Sequence, residues 1–274
     1  MNIDFIPLSE HHFPLLLKWL QAPHVKAWWD QGISYSQESV HKKYTTYAKG
    51  YKLSRGISKP IQAYIIHFGN IPIGYIQTYN AYDFPRSPAI FDLPESLGAI
   101  DIFLGEEEYI QKGIGAIAIK TFIEKYVLTN YKYVFGDPEY NNEIAVRAYE
   151  KAGFVIIKRV DKVFCMVSHK QIIRLSIKDS IALEVAFRKS FLKQDRLWLF
   201  GSRTKLEGKG GDIDLYIETN AETVNEAANM KSKLWIALTD CIGEQKIDIV
   251  LNVLKSAYHI PIYDAAKAGG VRIV

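Results

Sequence analysis

Residues 98–120, GAIDIFLGEEEYIQKGIGAIAIK, constrain the fold more than any other stretch of the chain. Ala99, Ile100, Ile102, Phe103 and Leu104 form an apolar run whose β-branched and aromatic content predicts a strand. An acidic patch at residues 106–108 follows. Then Gln111-Lys112-Gly113-Ile114-Gly115-Ala116 opens onto the helical spacing Ile117, Ile119, Lys120, Ile123. A strand, a glycine-bearing loop and a helix start make an anion site. Glycine lets the backbone come close to a ligand, and the free N–H groups and dipole of the first helical turn favour a pyrophosphate. The spacing is neither the longer loop with Lys-Ser/Thr of P-loop enzymes nor the dinucleotide fingerprint. On spacing alone, an ordinary helix start is the simpler reading.

The length of 274 residues predicts one or two domains. An apolar fraction of 48% and a charged fraction of 23% are those of an ordinary globular chain. No apolar run approaches the roughly 20 residues that span a bilayer. The start MNIDFIPLSEHHF carries Asp4 and no basic segment, so it does not read as a signal peptide. Cys165 and Cys241 lie far apart among apolar neighbours, which predicts buried free thiols and a cytoplasmic location. A net charge of +4 is too small and too dispersed to argue for nucleic acid, and no membrane or nucleic-acid partner is expected.

Along the chain, Ser9 is placed to cap a helix carrying Phe13, Leu16, Leu17 and Leu20, interrupted by Pro23. Residues 36–49 form a second helical pattern. Residues 61–68 and 71–80 read as strands joined at Gly69-Asn70, a hairpin signal. Residues 81–97 contain Pro85, Pro88 and Pro94 with few periodic positions, and read as a surface loop. Residues 155–167 read as strands that close a first domain, and the pattern changes around 169–176. The expected domains are 1–170 and 171–274. In the second, residues 177–192 and 222–238 have helical spacing, and strands are expected at 196–200, 212–217 and 246–251. The fold class is α/β (α+β).

Further motifs narrow the first domain. Asp137-Pro138-Glu139-Tyr140-Asn141-Asn142 leads into Tyr149-Glu150-Lys151-Ala152-Gly153-Phe154. With the loop at 111–116, this resembles the GNAT acetyltransferases, whose pyrophosphate loop and later helix stand at these places. His24-Val25-Lys26-Ala27-Trp28-Trp29, Pro72-Ile73-Gly74-Tyr75-Ile76-Gln77-Thr78-Tyr79, Gly98-Ala99-Ile100-Asp101 and Asp137-Pro138 together resemble the aminoglycoside 6'-N-acetyltransferases over roughly the first 168 residues. The resemblance implies a GNAT fold, acetyl-CoA as co-substrate and an aminoglycoside acceptor. It implies that Asp101 holds and deprotonates the 6'-ammonium and that Tyr149 protonates the departing thiolate. It assigns the acceptor site to Trp28, Trp29, Gln77, Tyr79, Asp101 and Asp137. It assigns acetyl-CoA to Ile102, Phe103, Leu104, Gln111, Lys112, Gly113, Ile114, Gly115, Ala116, Asn142 and Tyr149.

The residues themselves carry part of this. Asp101 between Ile100 and Ile102 is an oddly polar member of an apolar strand. Asp137 fits a Gly-Asp-Pro turn equally well. Tyr149 fits a helix core, adjacent tryptophans usually pack, and Asn141 leaves the register of Asn142 open. No Cys or Ser has an evident activating base, so direct transfer between bound partners is expected. Residues 50–60 and 81–97 have no family counterpart and are expected to set the acceptor profile. The alternative acceptor is a polyamine, another small amine or a protein N-terminus.

The second domain has its own constellation. Asp212 and Asp214, two apart on a strand, point to one face. Such a pair is costly without a cation, and Mg²⁺ shared with nucleotide phosphates is the usual solution. Gly201-Ser202 offers N–H groups to a phosphate, and Asp248 stands ready to complete a metal site or deprotonate a hydroxyl. This set, over about residues 176–274, resembles the minimal members of the nucleotidyltransferase superfamily. The resemblance implies Mg²⁺ at Asp212, Asp214 and Asp248, and a nucleoside triphosphate at Gly201 and Ser202. No helical substrate domain follows Asp248, as it does in full antibiotic nucleotidyltransferases. A regulatory or partner-binding (antitoxin-like) module beside a helical partner protein is therefore the alternative. Monomer and homodimer are both left open.

Overall fold

The computed structural model describes residues 2–86, 92–208, 210–243 and 245–274. These fall into two compact units, one made of the described residues up to 86 with Glu95–Lys170, the other of Asp92–Pro94 with Gln171–Val274.

The first unit runs β1 (Ile3–Pro7), α1 (Phe13–Gln21), α2 (Pro23–Lys26), α3 (Gln37–Ala48), β2 (Tyr51–Ser54), β3 (Ile57–Pro60), β4 (Gln62–Phe68), β5 (Ile71–Asn80), β6 (Leu97–Leu104), α4 (Ile114–Phe122), β7 (Tyr133–Gly136), α5 (Glu143–Lys151), β8 (Val155–Val160) and β9 (Val163–His169). Its seven-stranded sheet has the order β1-β4-β5-β6-β7-β9-β8. Only β6 and β7 pair in parallel, across the crossover that contains α4. Phe5, Ile66, Ile76 and Ile100 from the sheet pack against Ile119, Phe122 and Ile123. Phe122 is fully buried and meets the Phe5 ring edge-on at 5.0 Å.

Local chemistry explains where the expected elements shift. Ser36 caps α3 and accepts from the Ser39 N–H at 3.2 Å. Ser9 instead precedes a short 3-10 turn at Glu10–His12, and α1 begins at Phe13 with Pro14 in its first turn. Proline lacks the N–H that a first turn cannot use, so this start is favourable. The buried stripe of α1 is Phe13, Leu16, Trp19 and Leu20, and Leu17 lies half-exposed beside it. Residues 50–60, which have no family counterpart, contain the β2–β3 hairpin. The surface loop expected at 81–97 is corrected on both sides of residues 87–91, which lie outside the described residues. Ala81, Phe84 and Leu93 are buried, and Leu97 already begins β6. Cys165 is a buried free thiol as expected, but Cys241 is exposed because it sits on the solvent side of a helix.

The second unit runs α6 (Ile177–Ser190), β10 (Arg196–Phe200), β11 (Ile213–Thr219), α7 (Val224–Ile242), β12 (Ile247–Val253), α8 (Pro261–Gly269) and β13 (Val271–Arg272). The sheet order is β12-β11-β10-β13, with β11 and β12 parallel through α7. One sheet face buries Leu197, Leu199, Leu215 and Ile217 against Phe187, Leu234 and Leu238. The other buries Trp198 and Tyr216 against Tyr263 and Ala266 of α8. Among the described residues, no helix is long and apolar enough to cross a membrane.

Candidate active site

The strand period places the polar residues of the first unit. Tyr75, Gln77 and Tyr79 lie two apart on β5 and share a face. The antiparallel register sets Asp101 of β6 directly opposite Gln77. The Tyr75 hydroxyl donates to Gln77 Oε1 at 2.7 Å, and Gln77 Nε2 donates to Asp101 Oδ2 at 2.6 Å. The Tyr79 hydroxyl donates to the same Oδ2 at 2.8 Å. Both donors converge on one oxygen, and among the described residues no protein donor is recorded at Oδ1. Tyr79 in turn accepts from Arg86 Nη2 at 2.8 Å, and Arg86 Nη1 pairs with Asp137. A continuous run of hydrogen bonds therefore links Tyr75 to Asp137 through Asp101.

Asp137 arrives from the other side of an opening in the sheet. The parallel ladder joins Leu97, Gly98 and Ala99 to Tyr133, Val134 and Phe135, and β6 continues to Leu104 without β7. Asp137 follows the end of β7. Burial raises its pKa first; Arg86 opposes that shift and the Asp101 charge adds to it. Tyr149, from α5, lies over Gly136, where an added Cβ would come within 2.4 Å of the Tyr149 ring. Its ring meets Phe154 edge-on at 5.0 Å and it is 5% exposed. Burial raises the Tyr149 phenol well above its ordinary value, and the Asp101 and Asp137 charges add to the rise. The tyrosine therefore keeps its proton at neutral pH and shares the electrostatic environment of both carboxylates.

The glycine loop has the backbone expected of an anion cradle. Gln111 (φ 61°) and Gly113 (φ 78°) are left-handed, and α4 starts at Ile114 with no side-chain cap. The first N–H groups of α4 are thus not used by a capping side chain. Ile114 and Ala116 are buried, so only their backbone can serve a ligand, while Gln111 and Lys112 are exposed. Ile102 and Leu104 pack toward the α4 core, whereas Phe103 faces the other way, stacked on Tyr75 at 5.5 Å. Asn142 is partly committed: its Oδ1 caps α5 by accepting from the Ala145 N–H at 3.2 Å.

The two tryptophans separate. Trp29 packs edge-on against Phe103 at 4.9 Å, while Trp28 is 42% exposed. Asp30 beside them is held by Lys43 and the Tyr35 hydroxyl. Lys52 lies over the Phe84 ring at 4.6 Å, and burial lowers its pKa. The roles of Tyr75, Arg86, Lys43 and Lys52 were not anticipated. Tyr75 was reachable from the period-two pattern. The others enter the site through tertiary folding, with no local signal.

In the second unit, Asp214 and Asp248 are register partners on adjacent parallel strands, and Asp212 precedes β11. Gly201 (φ 73°) lies so close to Asp214 that a Cβ there would stand 2.2 Å from Oδ2. Burial raises the pKa of Asp214, and the Asp248 and Asp212 charges add to the rise. Arg174 Nη2 reaches the Ser202 hydroxyl at 3.4 Å. Of the three carboxylates expected to hold Mg²⁺, Asp212 and Asp248 are paired with Lys246, whose Nζ stands 2.6 Å from the first and 3.3 Å from the second. Among the described residues, no three His, Cys, Asp or Glu side chains are grouped to hold a metal ion.

The acetyltransferase (GNAT) domain family matches residues 9–162. Aminoglycoside N(6')-acetyltransferase type 1 of Klebsiella pneumoniae is 27% identical over 150 residues, 54% of this chain and 71% of that protein. The protein of the same name from Serratia marcescens matches to the same extent, 27% over 150 residues, 54% and 71%. The structure of AAC(6')-Ib with ribostamycin and coenzyme A aligns with a TM-score of 0.53 at 23% identity, covering 62% of this chain and 95% of that one. Its complex with coenzyme A and kanamycin aligns at 0.52 and 23%, covering 62% and 96%. At these identities the solved structures speak for the fold.

Proposed function

The chain belongs to the GNAT acetyltransferase family, and we propose that it transfers the acetyl group of acetyl-CoA to the 6'-amino group of an aminoglycoside. The observation that carries this reading is the carboxylate of Asp101. Gln77 and Tyr79 both donate to one oxygen, Oδ2, and leave Oδ1 without a protein donor among the described residues. An ammonium cannot attack a thioester until it loses a proton, and Asp101 Oδ1 is the acceptor for that proton. The freed amine attacks the thioester carbonyl, the C–S bond breaks, the Tyr149 hydroxyl gives its proton to the departing sulfur, and the second proton shed by the acylated nitrogen restores the Tyr149 hydroxyl. Tyr149 is protonated at neutral pH, and its raised pKa favours return of the tyrosinate to the phenol once the nitrogen sheds its second proton. Asp101 supplies negative potential for a cationic acceptor, Asp137 lies beside it paired with Arg86, and Trp28 and Trp29 flank the acceptor. The loop at 111–116 takes the pyrophosphate through backbone N–H groups, and holding both reactants in register supplies much of the barrier reduction. The relatives named aminoglycoside N(6')-acetyltransferase support the choice of acceptor. The test is thiol release from acetyl-CoA with 6'-amino aminoglycosides, simple polyamines and peptides with free N-termini. Turnover confined to the aminoglycosides supports the assignment. Preference for polyamines or peptides replaces the acceptor and leaves the acetyl transfer.

For the second unit we infer a nucleotidyltransferase-like module that serves regulation or partner binding rather than a second transfer reaction. The Lys246 ammonium between Asp212 and Asp248 carries this reading. Equilibrium binding of Mg²⁺-ATP to the whole chain and to Asp212→Ala tests it. Tight binding that the substitution abolishes would contradict it.

A further inference from the structure

The acceptor side of the first unit carries Asp30, Asp101 and Asp137, and two of them are already matched with cations. Asp30 is paired with Lys43 and Asp137 with Arg86. Asp101 alone is held by neutral donors, Gln77 and Tyr79. Arg86 stands out among the cations. Its side chain is 11% exposed, lies 4.8 Å from the Phe135 ring centroid, and donates to both Asp137 and Tyr79. Its buried Nε finds no hydrogen-bond partner among the described residues. A guanidinium in this position does what an ammonium of a polycationic acceptor would do: it neutralises a carboxylate beside the one that takes the reacting amine.

Resting on the amine-acetyltransferase reading above, we propose that Arg86 is a specificity-determining residue, a built-in cation that holds the Asp137 subsite against the acceptor's second ammonium. The site then favours acceptors that present one ammonium to Asp101 and discriminates against those that bring another to Asp137. The electrostatics point the same way, since Arg86 offsets the cost of burying a charged Asp137. Without Arg86, burial and the Asp101 charge push the Asp137 pKa further up, and an ammonium of the acceptor competes with that proton for the carboxylate. The plainer alternative is that Arg86 only braces the chain at residues 84–86 and the Tyr79 hydroxyl. In that case its charge would not affect which acceptor is chosen.

The experiment uses the full chain as wild type, Arg86→Gln, Arg86→Ala and Arg86→Gln/Asp137→Asn. Gln keeps a donor for Tyr79 and loses the charge, so bracing and charge separate. The first readout is kcat/KM for pairs of 6'-amino aminoglycosides that differ by one amino-for-hydroxyl exchange on the same ring. In Arg86→Gln, the better pair should shift toward the extra ammonium by about tenfold, the lower end of what a close charge pair contributes. Adding Asp137→Asn should remove that gain. The second readout is thermal stability in methylguanidinium, which should stabilise Arg86→Ala and leave wild type unchanged. An unchanged acceptor ratio in every pair with Arg86→Gln, or a ratio shift that survives Asp137→Asn, overturns the proposal. So does methylguanidinium that stabilises wild type and Arg86→Ala equally. If no aminoglycoside is acetylated at all, the acceptor assigned above fails, and the same kcat/KM ratios measured with small amines that differ by one amino group decide the role of Arg86.

Discussion

Asp101→Asn separates charge from shape at this site. Gln77 and Tyr79 both donate to Asp101 Oδ2, at 2.6 and 2.8 Å. An asparagine can set its carbonyl oxygen at that position and keep both hydrogen bonds. Its NH₂ then replaces Oδ1, so a donor faces the acceptor amine where a proton acceptor stood. The fold should barely notice, with a stability change within about 1 kcal/mol, because no buried donor is orphaned. Catalysis should notice strongly. Loss of a positioned base typically costs about 10²- to 10⁴-fold, or roughly 3–5 kcal/mol of barrier. The assay is steady-state thiol release with a 6'-amino aminoglycoside, beside calorimetric binding of coenzyme A and urea unfolding. Binding of coenzyme A should stay unchanged, since Asp101 is not part of the loop at 111–116. A second, independent readout is electrostatic. The Asp101 charge raises the pKa of Asp137 and of Tyr149, so both should move down toward their ordinary values. Turnover within tenfold of wild type, with folding and coenzyme A binding intact, would refute Asp101 as the base.

Two further perturbations test the scaffold. Gly136→Ala places a Cβ within 2.4 Å of the Tyr149 ring, and Tyr149 is packed against Phe154 with no room to yield. Overpacking of this kind costs about 1–3 kcal/mol, and urea unfolding should show that loss together with a fall in kcat larger than the change in KM. Wild-type stability and turnover would mean that Tyr149 is not held by Gly136. The pH dependence follows from half-buried histidines. His12, His67 and His169 all have pKa values lowered, first by burial, from an ordinary 6.5. The folded state then binds fewer protons than the unfolded state just below that value. Their contribution is complete above about 6.5 and is lost as pH falls through the folded values. Urea midpoints should decline from pH 7 toward pH 5, and His169→Phe, which keeps a ring stacked on Tyr133, should flatten the decline. A midpoint that rises on acidification contradicts this reading.

Part of the site was legible in the residues and part only through the family resemblance. Asp101 stood out as a polar member of an apolar strand, the resemblance supplied Gln77 and Tyr79, and the structure brings the three into one hydrogen-bonded set. The anion loop was legible because Gly113 occupies a left-handed position, φ 78°, at the start of α4. Arg86 was illegible. It lies in a proline-bearing stretch without periodicity, and its partners Asp137 and Tyr79 come from elsewhere in the chain. The β2–β3 hairpin escaped notice because its residues are largely exposed and Pro60 ends it. In the second unit, Asp212-x-Asp214 read as a metal pair from spacing alone. Lys246, two residues before Asp248 and far from Asp212 in sequence, pairs with both of those carboxylates in the folded chain.

The most direct measurement is the ratio of kcat/KM for two aminoglycosides identical except at the 6' position, amino in one and hydroxyl in the other, with the acetylated product mapped by NMR. The account predicts rapid thiol release with the 6'-amino compound only, and a product acetylated at that nitrogen. Equal turnover of both compounds, or acetylation at another amine, would contradict it.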